Sequence, residues 1–161
     1  MINKKIKKIS ELKKLVAELK SKGEKIVFTN GCFDILHLGH ILYLEKSKSK
    51  GDKLIVAINN DESVRKLKGN SRPITSESGR AILIAALETV DYVIIFNGLT
   101  PLELIKTLKP DILTKGGDWK TKDIVGADVV QSYGGKIISI PYIEGYSTSS
   151  IISKIQRVNL R

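Results

Sequence analysis

The stretch Lys25-Ile-Val-Phe-Thr-Asn-Gly-Cys-Phe-Asp-Ile-Leu-His-Leu-Gly-His40 carries two periodicities in succession. Residues 25–29 form a short apolar run that reads as a buried strand, and Asn30-Gly31 breaks it. From Leu38 to Lys50 apolar residues recur at helical spacing until Gly51 closes the pattern. Residues 53–58 are a second apolar run. The alternation then continues: helices over 77–89, 101–108 (with Pro101 in the first turn), 124–133 and 148–157, and strands over 92–96, 112–115 and 136–140. Upstream, Leu12, Leu15, Val16 and Leu19 mark a helix with Ser10 as its N-cap and Gly23 as its stop. Short apolar strands separated by amphipathic helices call for a parallel sheet covered on both faces. Right-handed crossovers make it an α/β, doubly wound, five-stranded sheet. Its ligand site lies beyond the strands' C-terminal ends. The loops of interest therefore follow Thr29, Ile58, Phe96, Lys115 and Ile140.

At 161 residues the chain is expected to form one domain, with a basic N-terminal helix over 1–24 and a Rossmann-like core over 25–161. Its 42% hydrophobic and 27% charged residues are ordinary for a globular protein. No apolar run is long enough to span a bilayer, and the lysine-bearing N-terminus lacks the pattern of a signal peptide. A cytoplasmic location is expected. Cys32 is the single cysteine, which excludes an internal disulfide and a thiolate zinc cluster. Twenty-seven Lys+Arg against 17 Asp+Glu give a formal charge of +10. Nine lysines and three glutamates in residues 1–25 supply +6 of it. Such a segment can face nucleic acid or be a solvated helix face. The chain lacks the aromatic platforms interleaved with arginine that single-strand binders use.

The only two histidines, His37 and His40, stand three apart in His-Leu-Gly-His at the mouth of the first core helix. An i, i+3 pair shares one helix face, and a helix N-terminus offers free N–H groups and positive potential. Two imidazoles there make a cradle for a polyphosphate, with Gly39 allowing close approach. The alternative is a pair of unrelated surface histidines. Ser147-Thr148-Ser149-Ser150 opens the last helix, where hydroxyls cap the helix or hold phosphate. Lys68 and Arg72 lie in the loop after the second strand and can neutralise developing charge, or can be solvated. Lys115-Gly116-Gly117-Asp118 ends the fourth strand. Lys115 can aim into the crevice, and Asp118 can orient a hydroxyl or support magnesium through water, or the four form a bare turn. There is no dinucleotide fingerprint, Walker A sequence or nucleophile elbow. A Cys32–His nucleophile is disfavoured against a small residue lining a turn.

Phe28-Thr-Asn-Gly-Cys-Phe-Asp-Ile-Leu-His-Leu-Gly-His40 resembles the first signature of the cytidylyltransferase-like nucleotidyltransferases, and Ser147-Thr148-Ser149 resembles their second. Three further stretches narrow the match: residues 59–69 with Arg72-Pro73-Ile74, Val90-Asp91-Tyr92 through Thr100-Pro101, and residues 110–118. Together they are similar to the heptose 1-phosphate adenylyltransferases over about residues 10–157. The resemblance implies a strand order 3-2-1-4-5. It also implies transfer of AMP from ATP to D-glycero-β-D-manno-heptose 1-phosphate, giving ADP-heptose and pyrophosphate for lipopolysaccharide cores. By the same resemblance, His37, His40 and Lys68 serve catalysis. Thr29, Asn30, Gly31, Cys32, Phe33, Gly39, Lys115, Gly117, Asp118, Ser147 and Thr148 bind nucleotide and phosphates, and Asp61 and Arg72 contact the acceptor. Magnesium arrives on the ATP phosphates, and a homodimer is common among relatives. Related cytidylyltransferases place Arg-Thr where this chain has Tyr142-Ile143, which argues against a CTP-using glycerol-phosphate enzyme. Gly79 stands where an acidic residue is common, beside Arg80, and loosens that helix start. The chain leaves no room for a sugar kinase, so that step would fall to a separate protein. The alternatives are glycerol-3-phosphate cytidylyltransferase, FMN adenylyltransferase or a GTP-using heptose enzyme, and outside that class a basic nucleic-acid-binding domain.

Overall fold

In the computed structural model, which describes residues 2–117 and 119–158, each apolar run is a strand of one sheet. In chain order the elements are α1 (Ile9–Ser21), β1 (Ile26–Gly31), α2 (Leu38–Lys48), β2 (Lys53–Asn59), α3 (Asp61–Lys68) and α4 (Glu77–Ala85). Then follow β3 (Tyr92–Phe96), α5 (Leu102–Leu108), β4 (Ile112–Gly116), α6 (Ala127–Ser132), β5 (Lys136–Ile140) and α7 (Thr148–Val158). All strand pairs are parallel and the order is β3-β2-β1-β4-β5, as expected. No helix of the described residues is long and apolar enough to cross a membrane.

The strands read as unbroken apolar runs because both faces are covered. Ile26, Phe28, Ile55 and Ala57 pack with α1, α5 and α6 through Leu12, Ile105 and Val130. Val27, Leu54, Val56 and Ile58 point to the other face, against Leu44 of α2 and Ala81, Ile84 and Ala85 of α4. β1 and β4 are neighbours at the point where the chain reverses its direction of winding. The crevice above them is where this architecture binds ligands.

Several boundaries differ from expectation. β1 is not broken at Asn30-Gly31: those residues pair with Ala57 and Ile58 and carry the strand to the crevice. α4 stops at Ala85 and not at 89, and the carbonyls of Leu87 and Val90 turn to the Lys5 ammonium, at 2.9 and 2.7 Å. The helix expected over 124–133 shortens to α6, behind a 3₁₀ turn at Thr121–Asp123 and a left-handed Gly126.

The N-terminal segment is not one basic helix. α1 begins at Ile9, where the Glu11 carboxylate accepts the Lys8 amide, so Ser10 is not the cap. Residues 5–7 instead run along the edge of β3, with Lys7 N–H donating to Val93 O and Val93 N–H to Lys5 O at 2.8 and 2.9 Å. This covers part of an otherwise open sheet edge. Lys5 is thus a structural residue. Lys5→Met leaves two carbonyls without their charged donor and is expected to lower unfolding stability by about 1–3 kcal/mol. Lys13→Met on the exposed side of α1 is expected to shift it by less than about 0.5 kcal/mol. Urea denaturation of both variants checks the contrast.

Candidate active site

The loop between β1 and α2 is pinned by two oppositely charged side chains. Asp34 is 1% exposed. Its carboxylate accepts from Arg72 Nε at 2.5 Å and from the amides of Ile74 and Thr75 at about 2.9 Å. Burial works to raise its pKa, but those donors outweigh it and hold the carboxyl below the usual range. Arg80 of α4 has no solvent exposure. It donates to Cys32 O at 2.5 Å, to Asp61 Oδ1 at 2.8 Å and to Thr75 O at 3.0 Å. Between these anchors Phe33 and Ile35 are left-handed, with φ of 50° and 54°. Backbone held in that region by its surroundings is a common mark of a functional loop.

The loop delivers both histidines to one place. His37 is the N-cap residue of α2, with an extended backbone and a side chain that makes no cap hydrogen bond. Its ring stacks on that of His40, centroids 3.7 Å apart and planes 22° from parallel, while Phe33 meets His40 edge-on at 5.2 Å. A Cβ on Gly39 would sit 3.1 Å from the His37 ring and 3.2 Å from Tyr146 Cβ. The glycine therefore makes the stack possible. Burial, then repulsion from His37, lowers the His40 pKa to about 4, and burial lowers that of His37. Both rings are therefore neutral at pH 7. Both Nδ1 atoms are shielded from solvent without a hydrogen-bond partner among the described residues.

The cleft has a volume of about 630 Å³. It brings together most of the expected residues: Asn30, Gly31, Cys32 and Phe33 from the end of β1, His37, Gly39 and His40 from α2, Lys68 and Arg72 from one wall, Lys115 from β4, and Ser147 and Thr148 from the start of α7. Lys68 and Lys115 form no ion pair among the described residues, and burial pushes the Lys115 ammonium's pKa down. Burial pushes the Cys32 thiol up against the pull of Lys68, Arg80 and Arg72, so it stays protonated and is no nucleophile.

Three expected residues lie elsewhere. Thr29 is fully buried beneath the cleft, where its hydroxyl shares a 2.5 Å hydrogen bond with Tyr43 and donates to Thr114 O at 3.3 Å. The carboxylate of Asp61 is held by Arg80. Gly117 sits under the cleft's aromatic rim: with φ of 109°, a Cβ there would come within 2.9 Å of the Tyr142 ring and 3.0 Å of Trp119 Nε1. Asp118 lies outside the described residues. Two of the hydroxyls at α7 also make hydrogen bonds within the chain. Ser147 Oγ accepts the Ser150 amide at 3.1 Å as a helix cap, and Thr148 Oγ1 donates to Asp34 O at 2.6 Å. α7 also keeps free the Thr148 and Ser149 amides, its first two, which have no intrahelical partner, and the Ser147 hydroxyl, accepting in the cap, still has its proton to donate.

Asp34, Trp119, Tyr142 and Tyr146 also line the cleft and had no assigned role in the sequence. Asp34 had a signal, a carboxylate inside an apolar stretch. The three aromatics come from two loops, Trp119 after β4 and Tyr142 and Tyr146 after β5, and only their solvent exposure, 76% at Tyr142, marks them as more than core.

A model of the cytidylyltransferase-like family matches residues 28–154. The chain belongs to that family. Relatives of this cytidylyltransferase-like chain include the bifunctional protein HldE of Geobacter metallireducens, 52% identical over 95% of the chain and 31% of that protein. The HldE of Campylobacter jejuni subsp. doylei is 58% identical over 93% of the chain and 32% of that protein. The chain thus spans about a third of the length of the curated relatives it matches. A crystal structure of a lipopolysaccharide core biosynthesis protein from Thermoplasma volcanium is 33% identical, with a TM-score of 0.60 over 78% of this chain and all of that one. Pantoate-beta-alanine ligase from Francisella tularensis, 18% identical with a TM-score of 0.61 over 97% of this chain and 79% of that one, shares the fold. Membership makes this cytidylyltransferase-like protein a nucleotidyltransferase.

Two predictions follow from the charges. Arg80→Met strands Asp61 and the Cys32 carbonyl and is expected to cost about 3 kcal/mol or more, read by urea denaturation. His40 is held at about 4 against an ordinary 6.5, so as the pH falls the unfolded chain takes this proton first. The stability contributed by a neutral His40 is complete above pH 6.5 and is lost between there and about 4. A bound polyphosphate favours the imidazolium, so nucleotide binding at pH 6 is expected to take up protons. Calorimetry in two buffers of different ionisation enthalpy measures the uptake, which should shrink in His40→Ala.

Proposed function

We propose that the chain transfers AMP from MgATP to the phosphate of a heptose 1-phosphate. An acceptor phosphate oxygen attacks the α-phosphorus in line, the bond to the bridging oxygen breaks, and pyrophosphate leaves with the electron pair. The observation that carries this reading is the stacked, neutral His37–His40 pair in a cleft that also holds Lys68, Arg72 and Lys115. Such a site has donors and cations for phosphate charge and no activated nucleophile. It suits direct transfer by positioning and electrostatic stabilisation. The relatives support the sugar acceptor: one family carries the name HldE and a solved neighbour is a lipopolysaccharide core biosynthesis protein. The chain would then hold the nucleotidyl-transfer activity of those bifunctional proteins.

In this scheme His37 and His40 hold the phosphates and take positive charge as the transition state gains negative charge. The free amides at the start of α7 grip the β- and γ-phosphates. Lys68 and Arg72 bring the acceptor phosphate to the α-phosphorus. Magnesium comes as part of the substrate. Among the described residues no three His, Cys, Asp or Glu gather to hold a metal ion, and both Asp34 oxygens are occupied by donors. An annex of about 150 Å³ opens beside Lys115 and Asn30, with Asp123 at its wall and Leu113 and Ile124 as apolar lining. A carboxylate there repels phosphate and accepts hydroxyls, which suits the sugar end of the acceptor.

Pyrophosphate release with D-glycero-β-D-manno-heptose 1-phosphate and MgATP, MgCTP or MgGTP tests this. Turnover with ATP alone is expected. Turnover with CTP or GTP alone overturns the choice of base, and none with any nucleotide overturns the acceptor. His40→Ala is expected to lower kcat by about 10²-fold.

A further inference from the structure

Two segments assigned to different substrates meet at a single residue. The Asp34 carboxylate holds Arg72 and the amides of Ile74 and Thr75, while its own carbonyl accepts the Thr148 hydroxyl. The first segment faces the acceptor phosphate and the second carries the free amides of α7. None of α7's residues is fully buried, and just before it Tyr146 lies close to Gly39 of the same loop-to-helix junction. The direction of the Asp34 carbonyl is in turn set by left-handed residues on either side, Phe33 and Ile35. That backbone has few intermediate conformations to relax into. The Thr148 bond therefore ties the position of α7 to the residue that holds the Arg72 segment.

We propose that Thr148 is a positioning residue whose hydroxyl latches α7 to Asp34, so that nucleotide and acceptor phosphate each tighten the other's binding. This rests on the nucleotidyl-transfer reading above and departs from the expectation that the Thr148 hydroxyl grips phosphate. Ordering α7 around a triphosphate fixes the Asp34 carbonyl, hence Arg72. Ordering Arg72 around an acceptor phosphate fixes the same carbonyl from the other side. By linkage the two effects are equal.

The test uses Thr148→Val, which keeps the shape and removes the hydroxyl, and Thr148→Ser, which keeps the hydroxyl. Asp34 itself is avoided, because its loss strands a buried guanidinium donor and two amides. The Kd of a non-hydrolysable MgATP analogue is measured with and without saturating heptose 1-phosphate, and again with inorganic phosphate as a sugar-free probe. KM for both substrates is measured alongside. In the wild type each phosphate probe is expected to tighten the analogue about fivefold or more. Thr148→Val is expected to bring that factor close to one and to raise both KM values severalfold, with a melting temperature lowered by a few degrees at most. Thr148→Ser is expected to keep the coupling. A rise in the nucleotide KM alone, equal losses in both variants, or a coupling untouched by Thr148→Val overturns the proposal. Coupling with inorganic phosphate but none with the heptose phosphate, together with no turnover, overturns the acceptor reading and leaves the latch intact.

Discussion

The guanidinium of Arg80 is the contact on which the site's geometry depends. It sits without solvent exposure on a helix packed against β2 and β3, and its three donors reach oxygens of three separate segments. A buried cation is costly unless its hydrogens are satisfied, and here the loop carbonyl of Cys32, the turn at Thr75 and the start of α3 satisfy it. The Cys32 end of the loop is therefore tied to the sheet's helical cover. Asp34 does the converse, a buried anion drawing donors from the 72–75 segment. The two charges do not pair with each other. Each recruits backbone from elsewhere, and between them the left-handed residues Phe33 and Ile35 are held in place.

The same arrangement explains which parts of the molecule the sequence discloses. The sheet was legible because β2 is buried from Leu54 through Asn59, so its apolar run needs no partner to be recognised. The place of the site was legible too, since β1 lies at the centre of the sheet and His37 and His40 follow it directly. Contacts set by distant residues were not. Arg80 and Cys32 are 48 positions apart and Thr148 and Asp34 are 114 apart, and no local pattern announces either pair. Hence Asp61 read as a ligand contact and is an anchor for Arg80, while the Ser147 and Thr148 hydroxyls, read as phosphate ligands, also serve as a cap and a tether. Lys5 read as one charge in a basic helix, because a lysine donating to two carbonyls looks in sequence like any other lysine.

The histidine pair shows why positioning matters more here than acid–base chemistry. Two imidazoles 3.7 Å apart cannot both be protonated in a half-buried site without an anion beside them, and their titrations are coupled. In the empty cleft burial keeps them neutral. A polyphosphate changes the sign of the local field, and the rings can then carry positive charge where negative charge accumulates. The site thus becomes most cationic when filled. Donors held in place before a ligand binds need little reorganisation during a chemical step. For that to work the rings must keep their stack while the ligand enters, and each structural device around them serves that end. Gly39 gives them room, Phe33 braces His40, and the Arg80 and Asp34 anchors hold the loop from which both project.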